Sequence, residues 1–147
     1  MKIAIASDHA GFDMKEKIKP FLNKLGHEFK DFGTGDNKPV DYPDFAIKVA
    51  TAVAKDDFDR GILFCTTGLG MSIAANKVDG IRAALCYDIE TARLSREHND
   101  ANVLTIGSRM TDIKEAKEII DVWLKTDFKG DRHSLRLEKI KDIEKNF

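Results

Sequence analysis

The run from Gly61 to Asn76, GILFCTTGLGMSIAAN, narrows the possible folds more than any other stretch of the chain. It begins as an apolar strand (Ile62, Leu63, Phe64) and passes through Cys65, Thr66, Thr67, Gly68 and Gly70. It ends in Ser72-Ile73-Ala74-Ala75, which reads as a helix. A parallel strand needs a tight turn before its crossover helix. Gly68 and Gly70 permit that turn and let the backbone come close to a bound group. The N–H groups of the helix's first turn point at the same place and favour an anion.

The rest of the sequence repeats this strand–turn–helix grammar. Lys2 to Ser7 is apolar without clean alternation, as in a parallel strand covered on both faces. After Asp8-His9-Ala10-Gly11, the residues Met14, Ile18, Phe21, Leu22 and Leu25 share one helical face. Lys15, Glu16, Lys19 and Lys24 fall elsewhere, Pro20 is a candidate kink and Gly26 a stop. Strand His27 to Phe32, loop Gly33 to Asp41 and helix Pro43 to Lys55 follow, the last with Phe45, Val49, Ala52 and Val53 inward.

Beyond the central run come strand Ile81 to Cys86 and a helix capped by Asp88, carrying Ile89, Ala92 and Leu94 and ending at Arg96 to Asp100. Strand Ala101 to Ile106 precedes a helix capped by Thr111 or Asp112. A last helix, about Arg132 to Glu144, has no strand after it. It fits either the chain's own sheet edge or a neighbouring subunit. The pattern predicts one domain over residues 1–147, an α/β fold with a parallel sheet of about five strands.

A net charge of -1, from 24 Lys plus Arg against 25 Asp plus Glu, gives no support for nucleic-acid binding by bulk charge. No run reaches membrane-spanning length, and the two cysteines, Cys65 and Cys86, form neither a disulfide scaffold nor a CxxC knuckle. A cytoplasmic protein is expected. His9, His27, His98 and His133 are scattered, so no metal is expected.

In an open parallel sheet the ligand lies beyond the carboxyl ends of the strands. Asp8-His9, Cys65 to Gly70, Tyr87-Asp88 and Gly107-Ser108-Arg109 stand at such ends. Cys65 reads either as a small buried hydrophobe or as a thiol that the helix start and polar neighbours activate. A cysteine phosphatase is excluded, because Met71 occupies the place of its arginine. The Gly68/Gly70 pair is a plain tight turn or the cradle of one phosphate or oxyanion; neither GxGxxG nor GKS/T is present.

His98 and Asn99 end a helix at the opposite end of the sheet, so a pocket shared with Cys65 requires a second subunit. Arg132 and Arg136 lie four apart on one helical face, either solvated or gripping a phosphomonoester. Together these pieces suit proton transfer on a small phosphorylated substrate.

The segments SDHAG, DYPDFA, GILFCTTGLGMSIAANKVDGIRAA, SREHNDANVLTIGSR and GDRHSLRLEKI cover almost the whole chain. In them the sequence resembles the ribose-5-phosphate isomerase B and galactose-6-phosphate isomerase family. The resemblance implies a Rossmann-like three-layer α/β/α homodimer, sometimes a tetramer, with sites shared between subunits; the extra C-terminal helix, with no strand after it, is expected on the partner subunit. It implies Cys65 as the base between C1 and C2, His98 as the group that opens the furanose, and Asp8 and Asn99 on sugar hydroxyls. Thr67 and the turn through Gly70 would steady the enediolate; His9, Arg132 and Arg136 would hold the phosphate, with Arg109 assisting or at the subunit junction. No cofactor is implied.

The family usually writes the turn CGTG, and Thr66 departs from it: either the backbone there is ordinary or the pocket beside the sugar is reshaped. Thr66 bears on which sugar fits and not on the reaction class: ribose 5-phosphate is the first substrate expected, with allose 6-phosphate or galactose 6-phosphate as alternatives. A non-catalytic module that binds a phosphate compound is the rival of another class.

Overall fold

The computed structural model describes residues 1–146; Phe147, the last residue of the predicted 1–147 domain, lies outside them. Five parallel strands form one sheet in the order β2-β1-β3-β5-β4. They are β1 (Lys2–Ser7), β2 (Glu28–Asp31), β3 (Arg60–Cys65), β4 (Ala83–Leu85) and β5 (Val103–Gly107). The helices are α1 (Phe12–Lys24), α2 (Tyr42–Ala54), α3 (Leu69–Ala75), α4 (Ile89–Asn99), α5 (Ile113–Lys125) and α6 (Arg132–Asn146). The strand order reverses between β1 and β3, so the crevice beyond their carboxyl ends is where a ligand is expected.

Alternation along the strands feeds two cores. Ile3, Ile5, Ile62, Phe64, Leu104 and Ile106 face α1, α4 and α5, meeting Ile18, Leu22, Ile120 and the fully buried Trp123. Ala4, Ala6, Leu63 and Cys65 face α2 and α3, meeting Ala46, Val49, Ala50, Met71 and Ala75. The second core is made of smaller residues, which brings α2 close to the sheet. A Cβ on Gly61 would lie 2.6 Å from Val49.

Capping follows the sequence. Asp88 accepts from the Thr91 N–H and Asp112 from the Glu115 N–H, each in a reciprocal capping box. Pro20 is accommodated inside α1, which runs unbroken to Lys24. Three expectations change. Ile89, placed inward by periodicity, is exposed, and Leu94 is half-buried; Ala92 is buried as expected, and Ser95 and Arg96 complete the buried face with it. Arg96 reaches the carbonyls of Ala101 and Thr126 and the Asp100 carboxylate, tying the end of α4 to the end of α5.

Lys15, assigned to the polar side of its helix, has no exposed surface. An ammonium tolerates that only when its protons are taken, and here Asp31 and the Thr34 carbonyl take them. The short second strand leaves an acidic side chain within reach beneath α1.

α6 buries only His133 and Leu137, leaving Leu135, Ile140 and Ile143 exposed. Its start meets α4, where the rings of His98 and His133 stack at 4.2 Å, and its end accepts the Gly80 N–H on Glu144.

Candidate active site

Three central strands end side by side, and their following loops interlock through main chain. The Asp8 N–H donates to the Phe64 carbonyl, the Ser108 N–H to the Cys65 carbonyl and the Arg109 N–H to the Thr66 carbonyl. Glycine is required at two of these crossings. A Cβ on Gly11 would stand 2.6 Å from the Phe64 carbonyl carbon, and one on Gly107 would stand 2.5 Å from the Thr67 carbonyl oxygen. Ser108 adds a hydroxyl bond to the Ala10 carbonyl.

On this floor sit Asp8, His9, Cys65, Thr66, Thr67, Gly68 and Gly70. Asp8 is buried, and its Oδ1 accepts the Gly11 N–H at 3.0 Å, so the carboxylate is fixed from below. His9 accepts the Val40 N–H on Nδ1 at 3.2 Å. A backbone N–H can only donate, so that nitrogen carries a lone pair and Nε2 is left as the ring's N–H. This is the orientation in which an imidazole can donate to an anion.

Cys65 is 5% exposed and packs with the α2/α3 core, and its Sγ accepts the Gly68 N–H at 3.1 Å. The Leu69 N–H turns back to Thr67 Oγ1 at 3.3 Å. The expectation that the whole first turn faces a ligand is thus corrected. The first two donors are spent inside the loop, while those of Gly70 and Met71 have no acceptor among the described residues.

Gly68 has φ +81°, and a Cβ there would strike Leu85 at 2.4 Å. It is the position the turn demands. Thr66 is not among the residues with positive φ, so ordinary backbone carries the departure from CGTG without strain. Gly70 serves a neighbour: a Cβ on it would lie 2.7 Å from the ring of Tyr42. Tyr42, in the first turn of α2 and partly exposed, forms a wall beside the turn that no pattern in the sequence marked.

Arg109 is exposed and lines a depression of about 360 Å³ with Ala10, Asp13, Lys17 and Asp112. The remaining predicted residues stand elsewhere. The Asn99 carbonyl accepts Arg82 Nε, and the Arg82 N–H donates to Asn102, which places the end of α4 at the amino ends of β4 and β5. Cys65 pairs in register with Gly107 at the other end of β5. The length of that strand, about 13 Å, separates the two ends.

With His98 and Asn99 stand the start of α6 and its two exposed arginines, Arg132 and Arg136. Arg136 Nη1 lies 3.5 Å from His133 Nδ1. Burial, with the charges of His98, Arg132, Arg136 and Lys129 adding to it, holds the His133 imidazole below its ordinary value. His133 was not singled out by the sequence; its stacking on His98 is the feature that marks it.

Each chain therefore carries two half-constellations: thiol, carboxylate, imidazole and free N–H groups at one end of the sheet, and imidazole, amide and guanidinium groups at the other. A family model described as Ribose/Galactose Isomerase matches residues 3–140. The chain belongs to this family.

Among isomerases of the family, the chain is 49% identical to ribose-5-phosphate isomerase B of Escherichia coli K12, over 97% of this chain and 96% of that protein. The structure of ribose-5-phosphate isomerase B from Clostridium thermocellum superposes with a TM-score of 0.98, at 56% identity and 99% coverage of both chains. That of a ribose 5-phosphate isomerase from Thermotoga maritima gives 0.94 and 51%, covering 96% of this chain and 97% of the other.

Proposed function

We propose that the chain interconverts ribose 5-phosphate and ribulose 5-phosphate without a metal or cofactor, in a site shared by two copies. The observation that carries this reading is the full-length likeness to type B ribose-5-phosphate isomerases in a chain whose central strand ends in Cys65, inside a turn with free N–H groups.

In this reading His98 of one copy gives its proton to the furanose ring oxygen as the bond from C1 to that oxygen breaks, and takes up the proton of the anomeric hydroxyl, which frees the aldehyde. The Cys65 thiolate of the other takes the proton from C2. The electron pair forms the C1–C2 double bond, and O1 takes the negative charge of the enediolate. Thr67 and the N–H groups of Gly70 and Met71 hold that charge. The thiol returns its proton to C1, and the O2 proton passes to O1, leaving the ketose. Asp8 and Asn99 orient hydroxyls, while His9, Arg132 and Arg136 grip the phosphate.

The two half-constellations support a shared site, and the exposed Leu135, Ile140 and Ile143 of α6 offer an apolar surface to the second copy. The whole chain acts as one isomerase domain, as a homodimer or a pair of dimers. Two free thiols, with Cys86 pushed up to about 11 by burial, fit a reducing cytoplasm.

The test is turnover of ribose 5-phosphate by the purified protein beside a Cys65→Ala variant. Loss of the base costs about a thousandfold in kcat or more. Equal turnover in both proteins overturns the role of Cys65. A parent active only on allose 6-phosphate or galactose 6-phosphate moves the substrate. A parent that binds phosphorylated sugars and converts none of them is a binding module.

A further inference from the structure

Lys15 is the only fully buried lysine among the described residues, and it takes no part in the chemistry above. Its Nζ donates to Asp31 Oδ2 and, at 2.8 Å, to the Thr34 carbonyl; it also stands 3.4 Å from Glu16 Oε1 and 5.4 Å from the centre of the Phe12 ring. Asp31 takes the Gly33 N–H on its other oxygen and a second ammonium, Lys19, at 3.1 Å. Burial pushes the Asp31 carboxyl up, but the bonds from Lys15, Gly33 and Lys19 outweigh it and hold the group below its ordinary value. A buried ion pair adds little net stability over apolar side chains of the same size. What it does supply is geometry.

That geometry acts on the loop from Gly33 to Asp41. The Ser7 N–H donates to the Gly33 carbonyl and the Thr34 N–H to the Ser7 carbonyl, both at 2.7 Å. Lys15 holds the Thr34 carbonyl from the other side, so the start of the loop is clamped between the end of β1 and the first turns of α1. The end of the same loop supplies the Val40 N–H to His9 Nδ1.

We propose that Lys15 is a positioning residue for the phosphate of the substrate: by clamping the loop it fixes the Val40 N–H, and so the tautomer and direction of the His9 ring. The inference rests on the reading of His9 as a phosphate ligand. Its chain of action is Lys15, Thr34, the loop, Val40, His9; no atom of Lys15 touches substrate.

The test is the double variant Lys15→Met/Asp31→Asn. It removes both charges of the pair together and keeps an oxygen for the Gly33 N–H; Lys19 loses Asp31 but keeps Glu16, so the main-chain contact that is lost is the clamp on Thr34. Expected are a KM for ribose 5-phosphate raised about tenfold with kcat within about twofold. The ¹⁵N ring signals of His9 also move from the Nε2–H tautomer toward a mixture. Parent-like KM and ring signals overturn the proposal, as does a fall in kcat with KM and ring signals unchanged.

A His9→Gln variant separates the two readings. If it raises KM while the double variant keeps a parent-like His9 ring, the Lys15 clamp alone is wrong. If it leaves KM unchanged, the phosphate role of His9 is wrong, and the ring signals still decide the clamp. Should the double variant not fold, Lys15→Met alone, with Lys19 still on Asp31, gives the same readouts.

Discussion

At the scale of single residues, the site depends on side chains whose freedom has been taken away by main-chain groups. Asp8 is held by the Gly11 N–H, His9 by the Val40 N–H and Cys65 by the Gly68 N–H. Gly68 makes the last of these possible, since its φ of +81° and its contact with Leu85 exclude a side chain. Gly68→Ala is expected to cost about 2–3 kcal/mol of stability and most of the activity, measured by chemical unfolding and initial rates.

His133 gives a second prediction at this scale. Its imidazole is held below the ordinary 6.5, so as the pH falls the unfolded chain takes up a proton that the folded chain refuses. Stability therefore falls with pH from about 6.5 downward, until the folded form also protonates. His27, lowered by burial and by the terminal ammonium, pushes the same way. Calorimetry between about pH 7.5 and 5.5 will show Tm falling, with a shallower fall in His133→Gln. A slope identical in the two proteins contradicts the assignment.

At the scale of elements, α6 is the test piece. It buries two side chains against its own chain and leaves Leu135, Ile140 and Ile143 in the open, about the composition of a helix waiting for a partner. An Ile140→Glu/Ile143→Glu variant is expected to sediment as a monomer and to lose activity with little change in Tm of the monomeric fold. A variant that stays dimeric and active would free α6 from the interface.

Strands, helices and caps could be read from the sequence because they rest on local rules: apolar runs, a 3.6-residue period, Asp88 and Asp112 before amphipathic stretches. Lys15 and Arg96 could not. Their burial depends on Asp31 and on the Thr34, Ala101 and Thr126 carbonyls, groups brought near by the sheet and not by the helix that carries them. Cys65 and the Gly68 turn stood out through type and spacing, whereas the roles of Tyr42 and His133 appear only as contacts across elements, with Gly70 and with His98.

At the scale of the whole molecule, the decisive fact is that the thiol and the arginines stand at opposite ends of one sheet. One chain cannot bring them to the same small sugar. Mixing Cys65→Ala with His98→Asn subunits, each inactive alone, is expected to restore about a quarter of the parent's activity when half of the dimers are mixed and each holds one intact site. Failure to recover any, with mixed dimers confirmed by mass, would remove the shared site. The same mixing with Arg132→Ala/Arg136→Ala in place of His98→Asn asks the question of the phosphate end.

The floor of the proposed site is main chain, crossed at Gly11 and Gly107 so tightly that neither position has room for one more carbon. Such a surface has nothing to vary. Divergence toward a longer or shorter sugar must be written around the rim, at positions such as Thr66 and Tyr42, and saturation mutagenesis will find the two glycines silent to selection for a new substrate while the rim answers it.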